Sequence, residues 1–210
     1  MKAIILASAS PRRAELLRQL GFSFTVVKSG VAEDELDHCE PYQMAERLAL
    51  AKARAVAAGV TDALVIGADT IVCVDGRVLG KPRDRYEAVD MLRLLAGREH
   101  HVLTGLALIG QPENRVLTHV ETTRVFMREL KEEEISWYTD SGEPYDKAGG
   151  YGIQGKAAVF VERLDGCYFN VVGLPLAALW QLFGSFGIRI WEGAGIYDIQ
   201  APDHQGFASE

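Results

Sequence analysis

The stretch from Ala63 to Thr70, ALVIGADT, sets the tightest limit on how this chain folds. Ala63, Leu64, Val65 and Ile66 form an apolar run without helical period, which reads as a strand buried on both faces. Asp69 then falls at the end of that strand. A carboxylate there is costly to desolvate unless a cation, a metal or several donors meet it. Strand ends in α/β sheets are also where ligands bind. The alternative is a turn carboxylate bonded to its own backbone, and the choice between the two falls to the rest of the chain.

With 210 residues, 48% of them hydrophobic, the chain fits one large domain or two small ones and can bury a substantial core. A formal charge of -7 argues against wrapping long nucleic acid, which requires a basic face, but leaves room for a small anion held by a few local cations. Cys39, Cys73 and Cys167 form no CxxC pair and are odd in number, so neither a disulfide framework nor a zinc site is expected, and a reducing, cytoplasmic setting is. Residues 3 to 7 read as a first strand; the run is too short for a secretory signal, and Arg12 and Arg13 follow at once. No segment approaches the roughly 18 to 20 apolar residues of a membrane span.

Four cations stand in unusual places. Ser10 suits a helix N-cap and Pro11 the first helical position, which puts Arg12 and Arg13 in the first turn, where the helix dipole favours anions. They either point into solvent or compensate a bound anion. Along a helix expected over Pro41 to Ala58, Ala45, Leu48, Ala49 and Val56 form one apolar stripe, and Lys52 falls in the middle of it. Its ammonium either snorkels to the rim or meets an anion inside the fold. Asp75-Gly76 marks a hairpin that leads to Gly80-Lys81-Pro82, a lysine in a stiff loop without P-loop spacing.

Asp84 and Glu87 read as a capping box for a helix with Ala88, Met91, Leu92 and Leu95 inward. Strands at 101–109 and 115–127 are expected to pair antiparallel, which makes the sheet mixed. The acidic loop Glu33 to Asp37 is either solvated surface or the source of a metal ligand. All five histidines read as structural, since His100 and His101 face opposite sides of a strand and the others are scattered. Gly150, Gly152 and Gly155 satisfy GxGxxG, but a strand is expected at 157–161 where a dinucleotide fingerprint requires a helix. The glycines therefore mean close backbone approach to something else, on a loop that also carries Asp146, Lys147 and Gln154. A last strand is expected over Cys167 to Val172, a last helix over Leu174 to Phe183, and then a tail, 184–210.

Taken together, SASPRR (8–13), the lysine helix, GADT (67–70), GKP (80–82), SGEPYDKAGGYGIQG (141–155) and GCYFNVVGLPL (166–176) resemble the Maf family of nucleoside triphosphate pyrophosphatases. The DKAG-GYGIQG version resembles the subgroup acting on dTTP and UTP rather than the one acting on 7-methyl-GTP. The resemblance implies a single α/β domain over residues 1–183, an elongated, mixed, twisted β-sheet with flanking helices around a central cleft, as in the inosine triphosphate pyrophosphatases. It also implies a homodimer. Asp69 is then the general base and Lys52 and Lys81 act with it, while Ser8, Ser10, Arg12 and Arg13 bind the substrate. Arg12, Thr70 and Gln154 select the base, and Glu33 with Asp69 holds magnesium or manganese. An alternative within the same resemblance is a nucleotide-binding regulator of septum formation without significant turnover.

Overall fold

The described residues of the computed structural model, 3–31 and 40–189, form one mixed sheet with helices on both faces. Its strands are Ala3–Ala7 (β1), Thr25–Val26 (β2), Ala63–Val74 (β3), Arg77–Leu79 (β4), Glu99–Gly110 (β5), Arg115–Met127 (β6) and Val161–Asp165 (β7), in the order β2-β1-β3-β5-β6-β7 with β4 also on β3. The pairs β2-β1 and β1-β3 are parallel and the others antiparallel. The helices are Pro11–Gln19 (α1), Pro41–Ala57 (α2), Arg85–Leu95 (α3), Glu132–Thr139 (α4), Tyr168–Val172 (α5) and Leu176–Ser185 (α6). Glu33 with the acidic loop, and the tail from 190 on, lie outside the described residues.

Asp69 does not end its strand. β3 runs on to Val74 because Ile71, Val72, Cys73 and Val74 continue the apolar pattern, the first three still paired with β5 and Val74 with β4. What does end there is the neighbour on the other edge. β1 pairs with β3 only from Ala63 to Gly67, and β4 takes up that edge only from Val72 to Val74. Among the described strands none pairs with Ala68–Ile71 on that edge, so the sheet opens beside Asp69 and Thr70.

Alternation along β3 sorts its side chains. On one face Val65 and Ile71 pack with the alanine-rich stripe of α2. On the other, Leu64, Ile66 and Ala68 join α1 and α6 in one cluster, while Val72 and Val74 join α3 and α4 in a second. Thr70 and its register partner Thr104 lie between the two clusters. Phe186 and Ile188 are buried in the first of them, so the core continues past Phe183.

Two expected strands take other forms. Lys156–Phe160 is a 3-10 turn that precedes β7, because Ala157 and Phe160, three apart, are the residues that face the core. The strand expected over Cys167–Val172 is instead α5 from Tyr168 on, since the buried Asn170 side chain ties that segment to Val102 and Thr123 and overrides the β propensity of its Tyr, Phe and Val. Smaller differences concern caps. Ser10 stands at the N-cap of α1, yet its backbone N–H donates to Ser8 Oγ and its own side chain makes no capping bond. Asp84 caps α3 through Glu87 N, whereas the Glu87 carboxylate accepts from Arg83 N instead of closing the box.

α2 lies very close to the sheet because β3 and β5 offer it glycines. A Cβ on Gly67 would come within 2.3 Å of the Ala49 carbonyl oxygen, and one on Gly105 within 2.1 Å of that of Ala45. Backbone atoms cannot yield cheaply, so the helix would have to lift. Gly67→Ala is therefore expected to cost about 1–3 kcal/mol by overpacking. Thermal unfolding should show it as a drop in Tm of roughly 2–10 °C; an unchanged Tm would mean that the helix does not need this approach.

Candidate active site

The close approach of α2 carries Lys52 to Asp69. Its Nζ lies 2.5 Å from Asp69 Oδ1, with 7% of the lysine and 6% of the aspartate exposed. Of the two fates open to that lysine, the buried one holds, and the acid met by a cation replaces the turn carboxylate. Asp69 shares its face with Gly67, two residues earlier on the strand.

Thr70 points to the opposite face, where a directed chain of hydrogen bonds begins. Arg13 Nη2 donates to Thr70 Oγ1 at 2.9 Å, and Thr104 Oγ1 donates to the Asn170 carbonyl at 3.0 Å. The proton of Thr70 therefore serves the 2.9 Å contact between the two threonine hydroxyls. Asn170 Nδ2 in turn donates to Val102 O and Thr123 Oγ1. Arg13 is also held by the Gly173 carbonyl, 2.7 Å from Nε, and by Ser8 Oγ, 3.3 Å from Nη1. Its guanidinium is thus a buried, positioned group at the open edge of β3 and does not project into solvent.

Arg12 turns the other way. Its Nη1 donates to Asp146 Oδ2 at 3.0 Å, and Lys147 Nζ donates to Asp146 Oδ1 at 2.5 Å and to the Glu143 carbonyl at 2.7 Å. Burial raises the Asp146 pKa, but the bonds from Lys147 and Arg12 outweigh it and hold the carboxyl below its ordinary value. The loop behind it is pinned on both sides. Gly149 N donates to Gly80 O, Tyr151 is buried with the second apolar cluster, and Ile153 packs on the first. The glycines expected to admit a close approach do so for the loop's own side chains. A Cβ on Gly152 would meet the Lys147 stem at 2.5 Å, and one on Gly155 would overlap the Glu143 carboxylate at 2.0 Å.

Lys81 follows Gly80 directly. It is exposed, two residues beyond the end of β4 at Leu79, and Gly80 beside it accepts from Gly149 N of the glycine loop. Ser8 and Ser10 follow the end of β1, which stops opposite Gly67 on β3.

Residues 3–186 match the family described as Maf, Maf-like protein. The chain belongs to the Maf family. A Maf relative from Pelotomaculum thermopropionicum is 51% identical over 190 residues, covering 90% of this chain and 100% of its own, and one from Symbiobacterium thermophilum is 52% identical over 193 residues, covering 92% and 98%. Both bear the name dTTP/UTP pyrophosphatase. A solved structure, that of the Staphylococcus aureus Ham1 protein, aligns with 60% of this chain and 72% of its own at 16% identity, with a TM-score of 0.41.

Of the Maf residues expected from sequence, the geometry joins Lys52 with Asp69, joins Ser8 and Thr70 through Arg13, and ties Ser10 N to Ser8 Oγ after β1, while Lys81 is exposed beyond β4. Arg12 is joined to Asp146 instead. Gln154 is exposed on the glycine loop, and Glu33 is outside the described residues. Thr104 and Asn170, the support under Thr70 and Arg13, were not expected. One signal for them was present: each is a polar residue inside an apolar run, VLTGLAL and YFNVV.

His100 lies beneath the glycine loop, its Nε2 2.6 Å from Tyr151 Oη. Burial, helped by the neighbouring His101, lowers its pKa from 6.5 to about 4. Between those values the unfolded chain binds a proton that the folded one refuses, so stability rises with pH across the window, by about 3 kcal/mol from this group. Urea unfolding at pH 4.5 and pH 7 is expected to show this slope in the wild type and to show it much reduced in His100→Gln; equal slopes would place the acid sensitivity elsewhere.

Proposed function

We propose that this Maf protein hydrolyses dTTP and UTP to the nucleoside monophosphate and pyrophosphate. The observation that carries the proposal is the buried Lys52–Asp69 pair, set where the edge of β3 is uncovered, with Arg13 held on the other face of the same edge. A nucleoside triphosphate brings about four negative charges, and arginine and lysine are the side chains that grip phosphate, the first bidentately and the second as a point charge. The names borne by the Maf relatives support the same substrates.

In this reading Asp69 accepts the proton of the attacking water. Lys52 fixes the carboxylate through Oδ1 and supplies positive charge beside the α-phosphate. Arg13, locked by Gly173, Ser8 and Thr70, holds phosphate oxygens without having to reorganise. The Gln154 amide suits the N3–H and a carbonyl of uracil or thymine, a pattern cytosine does not present.

A divalent metal is part of the proposal. Among the described residues no three His, Cys, Asp or Glu side chains gather, which leaves Asp69 to act with substrate oxygens and, by the family resemblance, with Glu33. Magnesium, or manganese in its place, is commonly held in this way by one or two carboxylates and substrate phosphates, and it neutralises phosphate charge when bound. A homodimer in a reducing, cytoplasmic setting completes the proposal.

Pyrophosphate release in the presence of magnesium, followed for dTTP, UTP, CTP and 7-methyl-GTP, tests it. kcat/KM for dTTP and UTP is expected to exceed that for CTP by about 100-fold or more. Asp69→Asn is expected to keep nucleotide binding and to lose about 100- to 10,000-fold in kcat. A mutant that turns over like the wild type would remove Asp69 from the chemistry, and a preference for 7-methyl-GTP would overturn the substrate assignment.

A further inference from the structure

The loop that carries the glycines holds a side-chain cluster that the proposed chemistry leaves unused. Lys147 is a built cation. Its stem lies against Gly152, where no side chain larger than hydrogen fits, its ammonium is fixed by the Glu143 carbonyl, and only 14% of the side chain is exposed. Glu143 is itself held by Tyr138 Oη and by Lys156 N. Such support fixes the ammonium and keeps it from sweeping through solvent. Arg12 reaches the same point from α1, and what lies between the two cations is the Asp146 carboxylate, one oxygen to each.

Asp146 differs from its partners in being exposed, at 63% of its side chain, against 29% for Arg12. An exposed ion pair is worth little and is easily exchanged. A carboxylate with two oxygens on two converging cations has the shape and charge of part of a phosphate group. Its partners come from distant parts of the chain, Arg12 after β1 and Lys147 two residues before Gly149, which is tied to Gly80 beyond β4.

We infer that Arg12 and Lys147 form one oxyanion subsite for the phosphate tail of the substrate, and that Asp146 occupies it as a placeholder until a phosphate displaces it. The inference rests on the nucleotide reading for its substrate, although the subsite itself requires only a polyphosphate. In the nucleotide-free protein Asp146 keeps the two cations together and neutralised. On binding, phosphate oxygens take both donors, and the carboxylate, already close to water, swings out. No covalent step is involved. Arg12 thereby acquires a phosphate contact in addition to any part it has in base selection, and Lys147 becomes a substrate-binding residue.

Calorimetric titration of the full-length protein with inorganic pyrophosphate, alongside KM for dTTP, tests this on Asp146→Asn, Lys147→Gln and, as a control for simple loss of one surface charge, Asp165→Asn. Asparagine fits the space but competes poorly for the cations, so Asp146→Asn is expected to tighten pyrophosphate binding and lower KM by about threefold to tenfold. Lys147→Gln should weaken both by a similar factor, and Asp165→Asn, which alters an exposed carboxylate on β7, should change neither. Unchanged or weaker pyrophosphate binding in Asp146→Asn would overturn the inference, because a carboxylate that merely positions the cations is missed when it is removed. Equal tightening in Asp165→Asn would overturn it as well. If the wild type released no pyrophosphate from dTTP or UTP, the nucleotide reading would fail, while the titrations would still decide the subsite.

Discussion

An ammonium and a carboxylate 2.5 Å apart, almost closed off from water, hold the rest of this molecule to its design. Each loses hydration worth several kcal/mol on burial, and their attraction repays it only in a fixed geometry. Well-packed apolar side chains of similar volume often stabilise such a position as well or better. Stability therefore does not explain why Lys52 and Asp69 are there. Their geometry is nonetheless maintained at some expense: Gly67 and Gly105 give up side chains so that α2 can press against the sheet and deliver the lysine.

The same strand serves two environments at once. Asp69 faces α2, and the next residue, Thr70, faces α1 and α5 on the other side of the sheet. In a closed sheet those groups would be separated by backbone and could not address one ligand. Here β1 stops opposite Gly67 and β4 begins only opposite Val72, so both faces reach the uncovered edge between them. Thr70, Thr104 and Asn170 form a polar seam there, between two apolar clusters that would otherwise merge. The seam carries Arg13, and the glycine loop, packed on both clusters, bridges it from outside.

Much of this was legible in the chain. Lys52 in an alanine stripe and Asp69 in an apolar run each announced a buried charge in need of a partner, and they proved to be each other's. The Asp75-Gly76 hairpin and the inward face of α3 followed from local rules that tertiary packing did not disturb. Where reading failed, long-range contacts decided the outcome. YFNVV has strand-forming residues, but one buried asparagine and its partners on β5 and β6 coil it into α5. Likewise the end of β1, not any signal around Asp69, creates the opening, and a strand's partner cannot be seen from its own sequence. The motif blocks spread over residues 8–176 gave what local rules could not, the family, which matches over residues 3–186.

The central claim is that the uncovered edge at Ala68–Ile71 is where phosphate chemistry takes place, with Asp69 and Lys52 on the reacting atoms. A crystal structure with an α,β-imido analogue of dTTP and magnesium tests it most directly. The account predicts the α-phosphate in that opening, its phosphorus one water molecule away from the Asp69 carboxylate, with Lys52 and Arg13 on its oxygens. An analogue bound firmly elsewhere, with Asp69 and Lys52 still sealed against each other and no phosphate near them, would contradict it.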